Sequence, residues 1–369
     1  MKNKSAIWLL LVIGCADVET TSPPTQMSAV KDEAFEIVDL GMLGSTTQAF
    51  EIDDHGTVYG RWGTQVNGGS FRWTEKDGFE DLGGLDGQPF LILGSNKHGV
   101  LTGHIPTGLN APTRSAVYLP HRGYVYVDDT NHAGNAWGAN KFGVVVGVRF
   151  PMTFGTQEPF IWTEADGLSI IPLEFPGPAR GAAASRILDN GTVGGTLSFV
   201  RTDVPCCRIR TQAYLWDATR GTQVLPSLSV GNVAITGINS SDVAVGAAET
   251  RLPLPGEIRR NPLSFMPGDV PIHAWRWSPS RGLQNLSTLG GKHAVSWGVD
   301  EDGNAYGWAM DAGGVQRAVR WNIDGSILQL PSLGGPSQTD PPNKHGVLVG
   351  SANTAAGEGH GVIWIPKKK

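Results

Sequence analysis

The chain has 369 residues and a formal net charge of −5, and its 17% of charged residues give no indication of a nucleic-acid partner. Its 50 glycines and 24 prolines are too many for a helical protein, and only the extreme N-terminus has helical periodicity. Twelve tryptophans and twelve phenylalanines are ample for a hydrophobic core. The composition therefore predicts an all-β protein that is rich in turns.

The N-terminus has the layout of an export signal. Lys2 and Lys4 precede an apolar run over residues 6–13, which is shorter than a bilayer span. The sequence Val12-Ile13-Gly14-Cys15 resembles the bacterial lipobox, in which the cysteine is acylated and becomes the first residue of the mature protein. The resemblance implies a signal peptide over residues 1–14 and a lipoprotein anchored to the membrane through Cys15. The alternative is an ordinary export signal with an incidental cysteine.

The residues after Cys15 indicate where the protein would be anchored. No aspartate follows Cys15 directly, which favours the outer membrane or the cell surface, with the domain facing the periplasm or the exterior. Residues 15–34 are polar and include Pro23-Pro24, so we expect a flexible tether. Two or more acyl chains on the cysteine would give stable attachment.

Three local patterns recur along residues 35–366. The first is a hairpin in which an Asn or Asp is followed by a turn glycine and, four residues later, by a final glycine. Its copies are 52–60, 95–103, 139–147, 187–195, 238–246, 299–307 and 342–350. The second is an aromatic strand, with copies at 71–73, 117–119, 160–162, 214–216, 275–277, 319–321 and 362–364. The third is a Leu-Gly corner, clear at 39–44, 81–85, 286–291 and 330–335 and weaker at 125–129, 171–174 and 225–228.

The spacing of these patterns predicts a ring. The final glycines are 43 to 61 residues apart, and a repeat of about 40–50 residues with four short strands is typical of a β-propeller blade. The first corner precedes every hairpin, and the last aromatic strand has no corner after it. We therefore expect residues 35–40 to pair with residues 361–365 in the last blade, which removes two open sheet edges. The prediction is a single seven-bladed propeller of four-stranded blades over residues 35–366, followed by a basic tail at 367–369.

The repeat resembles the HAF family of bacterial extracellular repeats, whose units read roughly DLGTLGG, then IND-x-G-x-VVG, then HAFLW. Residues 286–291, 299–307 and 273–277 match these segments closely. The pattern departs from the family at Leu119, Leu188 and Asp242, so the blades that contain them are less regular. The family is known as exported or surface proteins without an established reaction, so the resemblance implies location and fold and leaves the chemistry open.

The innermost strands offer little chemistry. Before their turns they carry only Glu51 and Arg186 as ionisable groups, so we expect neither a carboxylate pair for acid–base catalysis nor three ligands for a metal. The sequence therefore predicts no catalytic residue, no metal and no cofactor.

Two long loops are the predicted binding face. The links over residues 196–212 and 247–273 exceed the ten to twelve residues of the other blades, and they carry Arg201, Arg208, Arg210, Arg251, Arg259 and Arg260. Guanidinium groups bind carboxylate or phosphate in a bidentate manner, so these arginines favour an anionic ligand. The alternative is that the loops drifted in sequence and bind nothing. Cys206 and Cys207 in the first loop could close a vicinal disulfide or remain separate thiols.

These patterns together predict a monomeric, membrane-anchored lipoprotein that binds without catalysis. Its ligand would be an envelope component, a surface glycan or a partner protein. One alternative is a structural scaffold module of an envelope assembly. Another is a loop-based hydrolase, which would need a carboxylate pair or a histidine–carboxylate dyad to converge in the fold.

Overall fold

A computed structural model describes residues 30–31, 34–64, 67–108, 112–128, 132–151, 156–200, 209–229, 231–254, 256–258 and 268–367. The regular structure in these ranges consists of β-strands. No helix in the described ranges could cross a bilayer.

The first half of the chain forms three blades. Two strands come first, β1 (Val30–Lys31) and β2 (Phe35–Gly41). Blade 1 contains β3 (Thr47–Ile52), β4 (Val58–Gly63), β5 (Gly68–Thr74) and β6 (Gly78–Asp81). A small hairpin of β7 (Gly84–Leu85) and β8 (Gln88–Pro89) follows it. Blade 2 contains β9 (Leu91–Ser95), β10 (Leu101–Pro106), β11 (Thr113–Leu119) and β12 (Gly123–Tyr126). Blade 3 contains β13 (Ala133–Ala139), β14 (Val145–Phe150), β15 (Glu158–Thr163) and β16 (Gly167–Ile170).

The second half forms four further blades. Blade 4 contains β17 (Ala179–Ile187), β18 (Val193–Val200), β19 (Ile209–Asp217) and β20 (Gly221–Val224). Blade 5 contains β21 (Val233–Ile238), β22 (Ala244–Glu249), β23 (Ile272–Ser278) and β24 (Gly282–Asn285). Blade 6 contains β25 (Gly290–Val299), β26 (Ala305–Asp311), β27 (Gln316–Trp321) and β28 (Ile327–Gln329). Blade 7 begins with β29 (Gly334–Thr339), β30 (Leu348–Thr354) and β31 (Gly359–Pro366).

The N-terminal strand completes blade 7 and closes the ring. Strand β2 pairs antiparallel with β31, with Phe35 opposite Pro366 and Val38 opposite Ile363. The seven sheets pack against one another in chain order, and the innermost strand of blade 1 packs beside β30 and β31 of blade 7. The predicted seven-bladed, four-stranded propeller and its mode of closure are confirmed.

In several blades the final glycine of the hairpin makes room for an aromatic ring of the third strand. A Cβ on Gly60 would lie 2.6 Å from Cζ of Phe71, and a Cβ on Gly195 would lie 2.5 Å from Cε1 of Tyr214. Both rings are fully buried. The glycine on the second strand and the aromatic residue on the third are therefore one packing unit, which explains why the sequence repeats them together.

The Asn of the hairpin turn has a local role and a role between blades. Oδ1 of Asn96 accepts hydrogen bonds from the amides of His98 (2.9 Å) and Val100 (3.0 Å), which closes the predicted turn. Its Nδ2 donates to the Asn140 carbonyl of the next blade at 2.7 Å. Equivalent bonds between blades run from Asn140 to Leu188, from Asn239 to Asp300 and from Asn343 to Asp53. Four of the seven neighbouring pairs of turns on this face are thus linked.

Candidate binding site at the ring axis

A cavity of about 460 Å³ opens at the ring axis, on the face that carries the linked hairpin turns. The innermost strand of every blade ends at this face, and each of the seven blades contributes residues to the wall. Side chains at the C-terminal ends of these strands therefore converge on one space.

One position of the innermost strand controls how closely the blades approach the axis. Two residues before the turn residue, four blades carry a glycine: Gly94, Gly138, Gly237 and Gly298. A Cβ on Gly298 would lie 2.2 Å from Cγ of Pro341, and a Cβ on Gly237 would lie 2.7 Å from Cα of Gly298. Neighbouring strands therefore almost touch at this level, and a side chain there must extend into the cavity.

Two of the other blades carry charge at this position. Glu51 occupies it in blade 1 and Arg186 in blade 4, and Asp340 lies one residue earlier in blade 7. All three are partly buried and line the cavity. The expectation that no carboxylate pair meets on the innermost strands is thus wrong, because Asp340 joins Glu51 at the axis.

The surroundings disfavour the charged form of both carboxyl groups. Burial raises the pKa of Glu51 to about 7, although the positive charge of Arg186 and a hydrogen bond from the Ser95 backbone oppose the shift. Burial also raises the pKa of Asp340 well above its usual value, and the nearby Glu51 charge adds to the effect. The two groups therefore hold protons more tightly than exposed carboxyls do.

The guanidinium of Arg186 does not neutralise these carboxylates by direct contact. Its Nη1 donates to the Ser185 carbonyl at 2.9 Å. Within the described ranges no salt bridge joins Arg186 to Glu51 or Asp340. Opposite charges therefore face one another across open space.

Two carboxylates near the mouth of the cavity, Asp54 and Asp189, differ from the inner pair because lysines bind them. Asp54 accepts the Lys344 amide at 3.1 Å and lies 3.6 Å from Nζ of Lys344 and 3.8 Å from Nζ of Lys97. Burial opposes ionisation of Asp54, but the Lys344 amide and the two lysine charges hold its pKa below the usual value. Asp189 is bound in the same way by the amide (3.0 Å) and Nζ (3.1 Å) of Lys141.

Metal coordination finds no support in the described part of the chain. No group of three or more histidine, cysteine, aspartate or glutamate side chains is placed there to hold an ion.

Two residues of the predicted arginine face, Arg210 and Arg251, belong to the described part of the chain. The long loops join β18 to β19 and β22 to β23, at the ends of the strands away from the hairpin turns. Arg210 is buried and its Nη2 donates to the Gly231 carbonyl at 2.6 Å. Arg251 forms a bidentate ion pair with Glu257, with both distances 2.6 Å. Cys15, Arg201, Cys206, Cys207, Arg208, Arg259 and Arg260 lie outside the described residues. The anion-binding face remains a prediction.

Sequence reasoning found Glu51 and Arg186 but missed Asp340. The hairpin of blade 7 is interrupted by Pro341 and Pro342, which hides the end of its innermost strand. With Asn343 as the turn residue, Pro341 takes the position of Glu51 and Arg186, and Asp340 falls one residue earlier, where the repeat marks no site.

Comparisons with known proteins concern the fold. No family model matches the chain, and neither does any curated protein. Among solved structures, a gluconolactonase from Xanthomonas campestris is 10% identical, with 91% of this chain and 99% of that chain covered and a TM-score of 0.43. TolB from Acinetobacter baumannii is 11% identical, with 85% and 80% covered and a TM-score of 0.46. A luciferin-regenerating enzyme is 12% identical, with 90% and 95% covered and a TM-score of 0.42. At these identities the likeness extends to the β-propeller fold alone.

Proposed function

We propose that the protein is a non-enzymatic binding propeller of the cell envelope and that its ligand occupies the axial cavity. The observation that carries this proposal is the set of Glu51, Asp340 and Arg186, whose charges face the cavity without a salt bridge between them. The volume of about 460 Å³ falls within the roughly 300–1,000 Å³ typical of small-molecule pockets.

The energetics of the inner charges support a binding role. A partly buried charge costs free energy unless a partner compensates it, so such groups are seldom retained for stability alone. Ionisable groups with strongly perturbed pKa values, collected in a cleft, are typical of functional sites. Glu51 and Asp340 are of this kind, whereas Asp54 and Asp189 at the mouth have lysine partners.

The N-terminal pattern supplies the location of the proposed function. A lipid on Cys15 and a tether over residues 15–34 would hold a monomeric propeller away from the membrane, on the periplasmic or the outer side. The ligand would then be a soluble envelope component, or the end of a glycan or partner protein that reaches the cavity.

The proposal is tested with the unlipidated protein, which carries Cys15→Ser. We would measure binding to an array of bacterial envelope glycans and to a panel of amino acids and sugars. The unsubstituted protein is compared with an axial variant that combines Glu51→Gln, Asp340→Asn and Arg186→Gln. Arg72→Gln, on the outer part of blade 1, is the matched control. We expect a ligand whose binding is lost in the axial variant and kept in the control.

Two results would contradict the axial site. Equal binding by the axial variant and the control would move the site elsewhere, with the arginine loops at 196–212 and 247–273 as the next candidate. Absence of binding by every form would favour the scaffold module of an envelope assembly.

The carboxyl pair also favours a second candidate function, hydrolysis. Two carboxyl groups with raised pKa values could share the work of a general acid and a general base, one protonating a leaving group while the other activates water. If the protein is a hydrolase, it should turn over a chromogenic glycoside, ester or lactone. Glu51→Gln and Asp340→Asn should each abolish this turnover, and Arg72→Gln should preserve it. Turnover that survives both axial substitutions would exclude this mechanism.

A further inference from the structure

The three inner charged residues of the cavity lie on opposite sides of the axis. Asp340 and Glu51 belong to blades 7 and 1, which are neighbours because β3 packs beside β30 and β31. Arg186 belongs to blade 4, which lies three blades away from each of them in a ring of seven. Among the three inner residues, the two carboxyl groups therefore lie on one side of the axis, called the acidic wall, and the guanidinium lies on the other, called the basic wall.

Each wall retains hydrogen-bonding capacity. Arg186 uses Nη1 for the Ser185 carbonyl and has no other hydrogen bond within the described ranges, which leaves the rest of its fork for a ligand. Glu51 accepts a bond from the Ser95 backbone, and the carboxyl group of Asp340 has no hydrogen-bond partner among the described residues. The groups are close enough to affect one another's ionisation, yet they form no ion pair.

One side of the cavity carries apolar residues, whereas blades 2 and 3 on the other side contribute the polar residues Ser95, Asn96 and Lys97 and Asn140 and Lys141. Ile238 of blade 5, Trp297 of blade 6 and Pro341 of blade 7 line the cavity between the basic wall and the acidic wall. They provide a surface along which a short carbon chain can lie while its two ends reach the charges.

We infer that the axial cavity selects a compact zwitterion, whose ammonium group binds Glu51 and Asp340 while its carboxylate or phosphate binds Arg186. A simple amine would leave Arg186 unpaired, and a simple acid would leave the two carboxylates unpaired. A zwitterion satisfies both walls through charge-assisted hydrogen bonds. This inference rests on the proposed binding function and specifies its ligand class.

The inference is tested by isothermal titration of the unlipidated protein. The zwitterions are glycine, β-alanine, 4-aminobutyrate, 6-aminohexanoate and phosphoethanolamine, and propylamine and propionate carry one charge each. We expect at least one zwitterion to bind about tenfold or more tightly than either singly charged compound. The series reports the spacing of the two ends, and phosphoethanolamine distinguishes a phosphate end from a carboxylate end.

Three variants assign the two ends. Arg186→Gln should reduce the affinity for the zwitterion to that of the amine, whereas Arg186→Lys should keep part of the preference. Glu51→Gln combined with Asp340→Asn should reduce the affinity for the zwitterion to that of the acid. Tryptophan fluorescence of each variant checks that the ring is intact.

The inference is overturned if no zwitterion of the series binds more tightly than both singly charged compounds. It is also overturned if Arg186→Gln weakens amine and acid equally. A neutral or singly charged ligand that needs the axial residues would leave the proposed binding function in place and refute only the zwitterion. Ligands that bind independently of these residues would refute both.

Discussion

Replacing Glu51 by glutamine is expected to stabilise the propeller at alkaline pH. Burial raises the pKa of this carboxyl from 4.5 to about 7. The folded protein thus holds the proton more tightly than the unfolded chain, so protonation stabilises the fold, and this contribution is lost as the pH rises through about 7. Because one pKa unit corresponds to about 1.4 kcal/mol, ionisation of Glu51 costs the folded state about 3 kcal/mol. Glutamine has nearly the same shape and does not ionise.

The assay is urea unfolding followed by tryptophan fluorescence at pH 5 and at pH 8. At pH 5 most of the folded protein still carries the proton, so the free energy of unfolding gained by Glu51→Gln should be about 2.5 kcal/mol larger at pH 8 than at pH 5. The control is Glu80→Gln, which removes an exposed partner of Arg72 at 2.7 Å. We expect it to change stability by less than about 0.5 kcal/mol at either pH.

A gain that is equal at the two pH values would refute the reasoning. A loss of stability at pH 8 would refute it more strongly, because it would mean that Arg186 stabilises the ionised Glu51 across the cavity by more than burial destabilises it. The substitution also removes the charge that faces Asp340, and this effect adds to the gain in the same direction.

Three further predictions concern the ring itself. Asn96→Ala removes two hydrogen bonds within the turn and the bond to Asn140, so it should lower the free energy of unfolding by about 2 kcal/mol. Asn96→Asp removes only the bond between the blades and should lower the free energy of unfolding by about 1 kcal/mol. Equal losses for the two variants in urea unfolding would refute a separate role for the side-chain amide. Gly298→Ala places a Cβ 2.2 Å from Cγ of Pro341 and should lower the free energy of unfolding by about 2 kcal/mol or more. An unchanged thermal midpoint would contradict the close approach of the strands at the axis. Deletion of residues 35–41 removes β2 and leaves one edge of β31 open, so we expect loss of the monomer peak in size-exclusion chromatography. A monomer of unchanged thermal stability would show that the ring does not need this strand.

The ring could be predicted from the sequence because several repeat positions accept only one kind of residue. Gly60 recurs because the Phe71 ring occupies the space of its missing side chain. The turn glycine Gly99 has a φ of 78°, which disfavours other residues, and Asp242 replaces glycine in blade 5 with a φ of 58°. Such positions recur in most blades whatever the protein binds, so periodicity reveals them.

The links between blades could not be predicted in the same way. Asn96 signals its own turn through residues close in sequence, but its bond to Asn140 spans 44 residues and depends on how two sheets pack. Asp340 was missed for a similar reason. Its relevance comes from the distant Glu51 and Arg186, which only the closed ring brings to the same cavity.

The departures from the repeat at the axis support the proposed binding role of this level of the ring. Four blades carry glycine there, so packing is satisfied without a side chain. The charged residues Glu51 and Arg186 replace that glycine, and Asp340 adds a third charge beside them. Ionisation of Glu51 costs the folded state about 3 kcal/mol at neutral to alkaline pH, which is a large part of the roughly 5–15 kcal/mol that keeps a protein folded. Random drift would place such costly changes at unrelated levels of different blades. Their convergence on one cavity, with opposite signs on opposite walls, is what a ligand with two charged ends requires.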